Sequence, residues 1–90
     1  MAPRKYLITY TLKTQNWNYT GFYSALQSLG HWWHYLDSTW IIKNTTYTPQ
    51  QMYNILAPHI SVQDSILIIE IVSANKHGFL PKDAWDWLNN

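Results

Sequence analysis

The sequence predicts a small domain of the α+β class, in which four strands and two helices precede a C-terminal extension. Three observations predict it: residues 5–12 alternate apolar side chains with period two, residues 19–29 place them at three- and four-residue steps, and residues 65–72 form an apolar run. The first pattern is typical of a strand, the second of a helix and the third of a buried strand. A chain of 90 residues suffices for one domain, with residues 5–72 as its core and residues 73–90 as the extension.

Each of the first two elements is justified by the face on which its apolar side chains fall. The alternation in the strand places on one face Tyr6, Ile8, Tyr10 and Leu12. The spacing in the helix gives a stripe of Tyr19, Phe22, Tyr23, Leu26 and Leu29. Gly30 follows that stripe, and because glycine often ends a helix in the left-handed conformation, the helix is predicted to end there.

A hairpin is predicted next, from two short runs rich in β-branched and aromatic residues. The runs cover residues 32–36 and 39–43, and only Asp37 and Ser38 separate them. Aspartate and serine side chains hydrogen-bond to nearby backbone groups in tight turns, which favours a turn at this pair over a ligand-binding loop.

The second helix is predicted from its start signal. Thr48 can cap the helix, Pro49 suits the first helical position, and Gln51, three residues after the cap, completes the capping-box pattern. Pro58 is expected to end the helix. Its buried stripe consists of Met52, Ile55 and Leu56.

The apolar run at residues 65–72 predicts a last core strand that is covered on both faces. Its sequence is SILIIEIV, whereas a strand packed on one face needs apolar residues only at alternate positions. A helix is expected to cover one face, and a second subunit is the economical cover for the other. We then expect a loop, a short strand at Phe79 and Leu80, and a helix opened by Pro81. The shared face of that helix would hold Ala84, Trp85 and Leu88.

The order of these elements, βαββαβ, matches the ferredoxin-like split βαβ unit, in which both helices lie on one face of an antiparallel sheet. The other face is open, and folds of this type use it to dimerise or to bind single-stranded nucleic acid. We therefore expect a homodimer that forms through the open sheet face.

Composition limits the class of partner. Six Lys and Arg against five Asp and Glu give a net charge of +1, which disfavours binding along a long duplex. Charged residues make up only 12% of the chain and aromatic residues 17%, so part of the apolar surface is expected to be an interface. The sequence has no cysteine, no signal-peptide pattern and no membrane-length segment, which favours a soluble, cytoplasmic protein without a membrane partner.

Several strings carry a resemblance to a known family: YLITYTL in the first strand, WWHYLDSTWIIK in the hairpin and DSILIIEIV in the last core strand. Together with the helix that ends in LG and the capped second helix, they cover residues 6–72. Over that range the chain resembles short bacterial and phage proteins described as SinR-like, which are similar in layout to the small CRISPR adaptation endonuclease and to virulence-associated protein D. The resemblance implies a homodimer and a function related to nucleic acid, with residues 79–80 paired on the partner's sheet edge.

The same resemblance assigns the family's metal-binding aspartate, which follows a tyrosine near the end of the first strand, to Thr11 after Tyr10. A hydroxyl is a poor anchor for magnesium, which is normally held by at least one carboxylate. No HExxH motif, nucleophile elbow or phosphate-binding glycine loop replaces it. The sequence therefore predicts a catalytically degenerate relative with no metal site, no cofactor and little support for enzymatic activity.

The candidate ligand-binding residues are aromatic and basic side chains near the expected dimer cleft: Tyr10, Lys13, Trp17, Trp33 and His34. Aromatic rings can stack on bases, and each such stack is worth about 1–3 kcal/mol. The alternative is that these rings belong to the core and to the dimer interface. Trp17 is expected to be exposed, because it lies in a polar loop.

Other polar residues favour structural roles. His31 and His34 are three residues apart, so a strand points them to opposite faces and they cannot easily share a metal. Asp64 precedes the last core strand, where a turn or capping role is expected. Glu70 must face water, pair with a cation or lie in a cleft, and we interpret it as pairing with a residue of the second subunit.

These observations leave three functions open. The leading hypothesis is a homodimer that binds a nucleotide or a short nucleic acid near its dimer cleft. The alternative is a phage-type protein-interaction module that inhibits or decoys a host defence complex through exposed aromatic residues. The third, a metal-dependent nuclease, would use Asp37 or Asp64.

Overall fold

The fold is a four-stranded antiparallel sheet with two helices on one face and a third on the other. The computed structural model describes residues 4–72 and 75–89. The two ends of the predicted domain, residues 1 and 90, lie outside the described residues. Its elements are β1 (Lys5–Thr11), α1 (Thr20–Gln27), β2 (His31–Leu36), β3 (Thr39–Lys43), α2 (Pro49–Leu56), a 3-10 turn (Ala57–His59), β4 (Ser65–Ile71) and α3 (Lys82–Leu88). The strand order β2-β3-β1-β4 is antiparallel throughout, which confirms the α+β class and is compatible with the ferredoxin-like topology.

The main core lies between the sheet and the helices α1 and α2. The central strand β1 buries Tyr6, Ile8 and Tyr10 on this face. They pack in one cluster with Phe22, Leu26, Leu29, Trp40, Ile42, Met52 and Leu56. The predicted inward faces of the first strand and of both helices are confirmed, except that Tyr23 of α1 is exposed.

The start of α2 follows its predicted signal. The Thr48 backbone N–H donates to Gln51 Oε1 at 2.8 Å, and the Gln51 backbone N–H donates to Thr48 Oγ1 at 3.2 Å. These reciprocal bonds form a capping box, and Pro49 occupies the first helical position. The starting residue of α2 is therefore set by contacts within four residues of the chain.

Gly30 does not take the left-handed conformation that its position after the first helix predicts. α1 ends at Gln27, its cap Ser28 has helical dihedral angles, and no glycine in the described residues has a positive φ. Gly30 is needed for space instead, because a Cβ there would lie 2.7 Å from the carbonyl oxygen of Lys43. The close approach of the β3 backbone is the reason for this glycine.

The helix α3 packs on the second face of its own sheet, opposite α1 and α2. Ala84 is buried there against Trp33 and Ile41. The Trp33 indole N–H donates to the Ala84 carbonyl at 3.1 Å, which satisfies a buried donor. The C-terminal helix therefore covers part of the face that the sequence analysis leaves open.

Two lysines bind the C-terminal end of α3. Lys5 Nζ donates to the Leu88 carbonyl at 3.0 Å, and Lys43 Nζ donates to the Trp87 carbonyl at 3.3 Å. Carbonyls in the last turn of a helix lack a full set of intrahelical donors, and the positive charges also oppose the negative end of its dipole. Burial, followed by the charge of Lys5, lowers the pKa of Lys43. Contacts from β1 and β3 thus hold α3 on the sheet.

The short strand predicted at Phe79 and Leu80 does not form within one chain, because neither residue has regular secondary structure. Leu80 packs against the buried cluster of Trp33 and Ala84, whereas the Phe79 side chain is fully exposed. Within one chain the pair leads into α3, and its pairing on a partner's sheet edge stays a prediction.

The strand β4 forms one edge of the sheet, and within one chain it is covered mainly on one face. Ile66 and Ile68 pack against the main core. Leu67 and Ile69, on the other face, are 56% and 53% exposed. Of this strand, only Ile71 packs against the cluster under α3. Within a single described chain, the second face of β4 is therefore largely open.

Candidate binding surfaces

Three aromatic side chains form a platform at the free edge of β2. Trp32 and His34 lie two residues apart on β2, so both project to the face that α1 and α2 cover. Both rings contact Trp40 of β3. The His34 ring stacks on the Trp40 ring with centroids 4.2 Å apart and planes inclined by 13°. The Trp32 ring lies 5.3 Å from that of Trp40 and Trp32 is 44% exposed. We call Trp32, His34 and Trp40 the aromatic platform.

Buried contacts hold the platform in place. The Trp40 indole N–H donates to the Tyr10 hydroxyl at 2.9 Å, and Tyr10 makes an edge-to-face contact with Phe22 at a centroid distance of 5.0 Å. Burial raises the pKa of Tyr10, which keeps its hydroxyl protonated. The His34 Nδ1–H donates to the Thr39 carbonyl at 3.1 Å. Because these contacts fix the rings in advance, a ligand would not have to order them.

A polar site lies at the other side of the same sheet end, where Asp64 joins two loops. One carboxylate oxygen accepts from the Lys13 backbone N–H at 2.8 Å and from Thr14 Oγ1 at 3.4 Å. The second oxygen accepts from the Tyr19 hydroxyl at 2.8 Å and from the Ser61 backbone N–H at 2.9 Å. Desolvation alone would raise the pKa of Asp64, but these hydrogen bonds, led by those from Ser61 and Lys13, lower it to about 2. The predicted turn role of Asp64 is confirmed.

The Asp64 site is suited to joining loops and not to holding a metal. Both carboxylate oxygens already accept bonds from protein donors. Within residues 4–72 and 75–89, no three His, Asp or Glu side chains lie close enough together to bind a metal ion. Thr11, which the family resemblance aligns with a metal-binding aspartate, is exposed and lies opposite Ser65 in the β1–β4 pair. Two hydroxyl side chains therefore occupy the end of this strand pair.

Two of the five predicted ligand-binding residues are brought together by the structure. Tyr10 and His34 both contact Trp40, one by a hydrogen bond and the other by stacking. Tyr10 is itself buried, so it holds Trp40 in place by its hydrogen bond and is not exposed to a ligand. Trp33 points to the opposite face of the sheet and is buried under α3. The five residues therefore do not form one continuous site within a single chain.

The remaining two, Lys13 and Trp17, lie in the loop that follows β1. Trp17 is 41% exposed, as its polar surroundings predict. Its indole N–H donates to the His59 carbonyl at 3.0 Å, so the ring is anchored to the turn after α2. Lys13 is exposed, and its backbone is held by Asp64. A shared ligand contact for these two residues stays a prediction.

Sequence reasoning missed Trp32 as a member of the site. The signal for it was present, because Trp32 and His34 are separated by one residue and must share a face of a strand. Trp33 and His34, which are both among the predicted ligand-binding residues, are adjacent and must point to opposite faces. The period of two along the string HWWHYL therefore selects Trp32 as the tryptophan that shares a face with His34.

Other candidate polar residues have partners within the chain. Asn44 Nδ2 donates to His31 Nδ1 at 2.9 Å, whereas His34 bonds to Thr39, so the two histidines have separate surroundings as predicted. Glu70 lies 3.9 Å from Arg4. Glu70 therefore has a cationic partner within one chain, and its pairing with a second subunit stays a prediction.

Two further findings concern the class of protein. None of the helices in the described part of the chain combines the length and the apolar character that crossing a bilayer requires. Comparisons with family models, with curated proteins and with solved structures give no match. The fold and both sites are therefore described from contacts within this chain alone.

Proposed function

We propose that this protein binds a nucleotide or a short single-stranded nucleic acid on the aromatic platform. In this proposal it acts as a homodimer and is a catalytically degenerate relative of the small CRISPR adaptation endonuclease. The observation that carries the proposal is the exposed Trp32 ring, which is held beside His34 against the buried Trp40.

Rings arranged in this way suit the faces of nucleobases. Stacking of a base on an aromatic side chain contributes about 1–3 kcal/mol and depends little on which base is bound. Because β2 is the last strand of the sheet on its side, no neighbouring strand covers the ring faces of Trp32 and His34 that point away from Trp40. A base can therefore approach from the edge without displacing any element.

Charge limits the length of the ligand. A net charge of +1 gives little attraction for a long phosphate backbone. Lys13 is an exposed cation just beyond the end of β1. The platform lies near the same end of the sheet, because His34 bonds to Thr39, and Thr39 pairs with Thr9 of β1. One or a few phosphates, with bases stacked on the platform, fit this balance better than a duplex.

The homodimer expected through the open sheet face remains part of the proposal. α3 already covers the part of that face around Trp33 and Ile41. The uncovered part carries Leu67 and Ile69, next to Leu7 of β1. A second subunit would therefore contact only this part of the open face.

The test is a fluorescence anisotropy titration with labelled single-stranded oligonucleotides of about four residues. Trp32→Ala should weaken binding by about fivefold or more, which corresponds to about 1 kcal/mol of lost stacking. Tyr53→Ala removes a similarly exposed ring from α2 and should leave the affinity unchanged. Trp17→Ala tests the predicted loop contact in the same assay. Absence of binding by the wild type, or equal losses in Trp32→Ala and Tyr53→Ala, would contradict the proposal.

A protein-interaction module is the second candidate function, and fully exposed apolar side chains in loops favour it. Val62 and Phe79 are both fully exposed. Apolar residues of this kind become contact sites when a partner protein provides a pocket. A protein that ignores oligonucleotides but inhibits a purified host defence complex, and loses this inhibition in Phe79→Ser, would support this function over nucleotide binding.

The metal-dependent nuclease is the third proposal and has the least support. It predicts magnesium-dependent cleavage that is lost in Asp64→Asn or Asp37→Asn. The hydrogen bonds of Asp64 argue against a metal at that carboxylate, because a cation would have to replace the donors from Lys13 and Ser61.

A further inference from the structure

The strand β4 presents an edge that its own sequence protects only weakly. It runs over Ser65–Ile71, pairs only with β1 among the described strands and keeps an unbroken register over its whole length. Sheet edges are usually blunted by charged side chains, proline or a β-bulge, and β4 has only one of these devices, the charge of Glu70 near its end. The opposite edge strand, β2, has an irregular register between Trp33 and Leu36. Of the two edges, β4 is the one that offers a flat template for another strand.

Apolar surface lies beside β4 on both faces of the sheet. On the open face Leu67 and Ile69 are more than half exposed. On the face covered by α1 and α2, an open groove of about 570 Å³ adjoins the start of β4. Tyr53, Ile60 and Val62 form apolar parts of its lining, and Ser61, Asp64 and Ser65 form polar parts. A partner that lies flat on one face would cover only one of these surfaces. An added strand would cover both, because its side chains alternate between the faces.

We propose that β4 pairs antiparallel with β4 of a second copy of this chain, so that one continuous sheet runs through the dimer. The inference rests on the homodimer of the proposed function but moves its contact from the open face to the edge of β4. A two-fold axis at Ile68 uses the whole strand and sets Leu67 opposite Ile69 of the second copy. Directly opposed side chains lie on the same face with Cβ atoms about 5 Å apart, which is contact distance.

The chemistry of β4 fits a copy of itself. Ile66 and Ile68 face the helices and Leu67 and Ile69 face away, which is the alternation that an added strand needs here. Charge does not oppose the pairing. The two Glu70 side chains would be four residue steps apart, about 13 Å along the strand. Each also has Arg4 of its own chain at 3.9 Å.

Cysteine crosslinking tests this register, because the chain contains no cysteine of its own. Leu67→Cys and Ile69→Cys proteins are purified, mixed and oxidised. We expect the disulfide between the two variants to exceed the self-linked dimer of either one, since residue 67 faces residue 69 across the axis. Thr39→Cys is the control, because it lies on the same face but two strands in from β4, about 10 Å from the edge.

Light scattering after size-exclusion chromatography gives the second readout. The measured mass of the wild type should be twice the chain mass of 10.7 kDa, and that of Ile69→Lys should be 10.7 kDa. Val72→Lys, at an exposed position just beyond the strand, should remain dimeric. Circular dichroism confirms that the lysine variants fold, which the exposure of both positions favours.

Two outcomes would overturn the inference, and they differ in what else they remove. A monomeric wild type overturns the edge pairing together with the homodimer. A dimer in which Thr39→Cys crosslinks as readily as the mixed pair overturns the edge pairing alone and places the contact on the open face. Oligonucleotide binding occurs at the opposite edge of the sheet, around Trp32, so its anisotropy assay reports on the ligand proposal separately.

Discussion

The Asp64 carboxylate accepts a hydrogen bond from the Lys13 backbone N–H at 2.8 Å, across 51 positions of the chain. Bonds from Ser61 and Tyr19 complete the junction. Lys13 follows β1 and Asp64 precedes β4, so the contact ties together the loops that flank two neighbouring strands. The junction depends on the ionised form of the carboxylate, because that form accepts all of these bonds.

Folding stability should therefore depend on pH in the acid range. The pKa of Asp64 is about 2 in the folded protein against an ordinary value of 3.8, so its contribution is complete above about pH 4 and is lost as the pH falls toward 2. Urea unfolding across this range should show a loss of stability that is smaller in Asp64→Asn. Asp37→Asn, in the exposed hairpin turn, should follow the wild type. Equal acid sensitivity in Asp64→Asn and wild type would contradict this assignment.

Gly30→Ala should destabilise the fold through a steric clash. The added Cβ would lie 2.7 Å from the Lys43 carbonyl oxygen, and β3 would have to move. We expect a loss of about 1–3 kcal/mol in the free energy of unfolding, measured by denaturant titration. Gly78→Ala is the matched control, since the nearest atom there, on Trp85, is 4.0 Å away. Similar stability of the two variants would contradict the prediction, because it would show that the β3 backbone at Lys43 can move away from the added Cβ at little cost.

Thr48→Ala should remove one half of the capping box of α2. The Gln51 backbone N–H then loses its acceptor, and we expect a loss of about 1 kcal/mol in the free energy of unfolding. Gln50→Ala changes an exposed residue of the same helical turn and should alter stability by less than about 0.5 kcal/mol. If the two variants are equally stable, water replaces the cap at no cost.

Trp33→Ala and Trp32→Ala should separate the two faces of β2. Trp33 is buried under α3 and donates to the Ala84 carbonyl, so its removal should cost about 3–5 kcal/mol and raise amide exchange in α3. Trp32 is nearly half exposed, so its removal should cost less and leave α3 protected. Hydrogen exchange with mass spectrometry measures both effects. Loss of protection in α3 from Trp32→Ala alone would reverse this assignment.

The parts of the fold that could be predicted from the sequence are those determined by neighbouring residues. The Thr48 cap, the turn at Asp37 and Ser38, and the alternation of Tyr6, Ile8 and Tyr10 all depend on contacts or periods within a few positions. For these features the local pattern was sufficient.

The features that escaped prediction depend on which distant elements meet. Gly30 looked like a helix terminator, but its role comes from the Lys43 carbonyl on another element. The end of α3 is held on the second face of the sheet by Lys5 and Lys43, which lie far from the helix in sequence. Trp32, and not Trp33, lies on the same face of β2 as His34, which strand periodicity alone indicates. Only the last of these features is predictable from the sequence.

The separation of the two buried clusters by the sheet has a consequence for partial unfolding. The cluster under α3 and the main core share no residue. If α3 detaches, Trp33 and Ile41 become exposed while the contacts among β1, α1 and α2 stay intact. Such a form keeps its native helices α1 and α2 but bares the second sheet face next to Leu67 and Ile69. The docking of a helix of seven residues thus controls how much aggregation-prone surface the molecule shows.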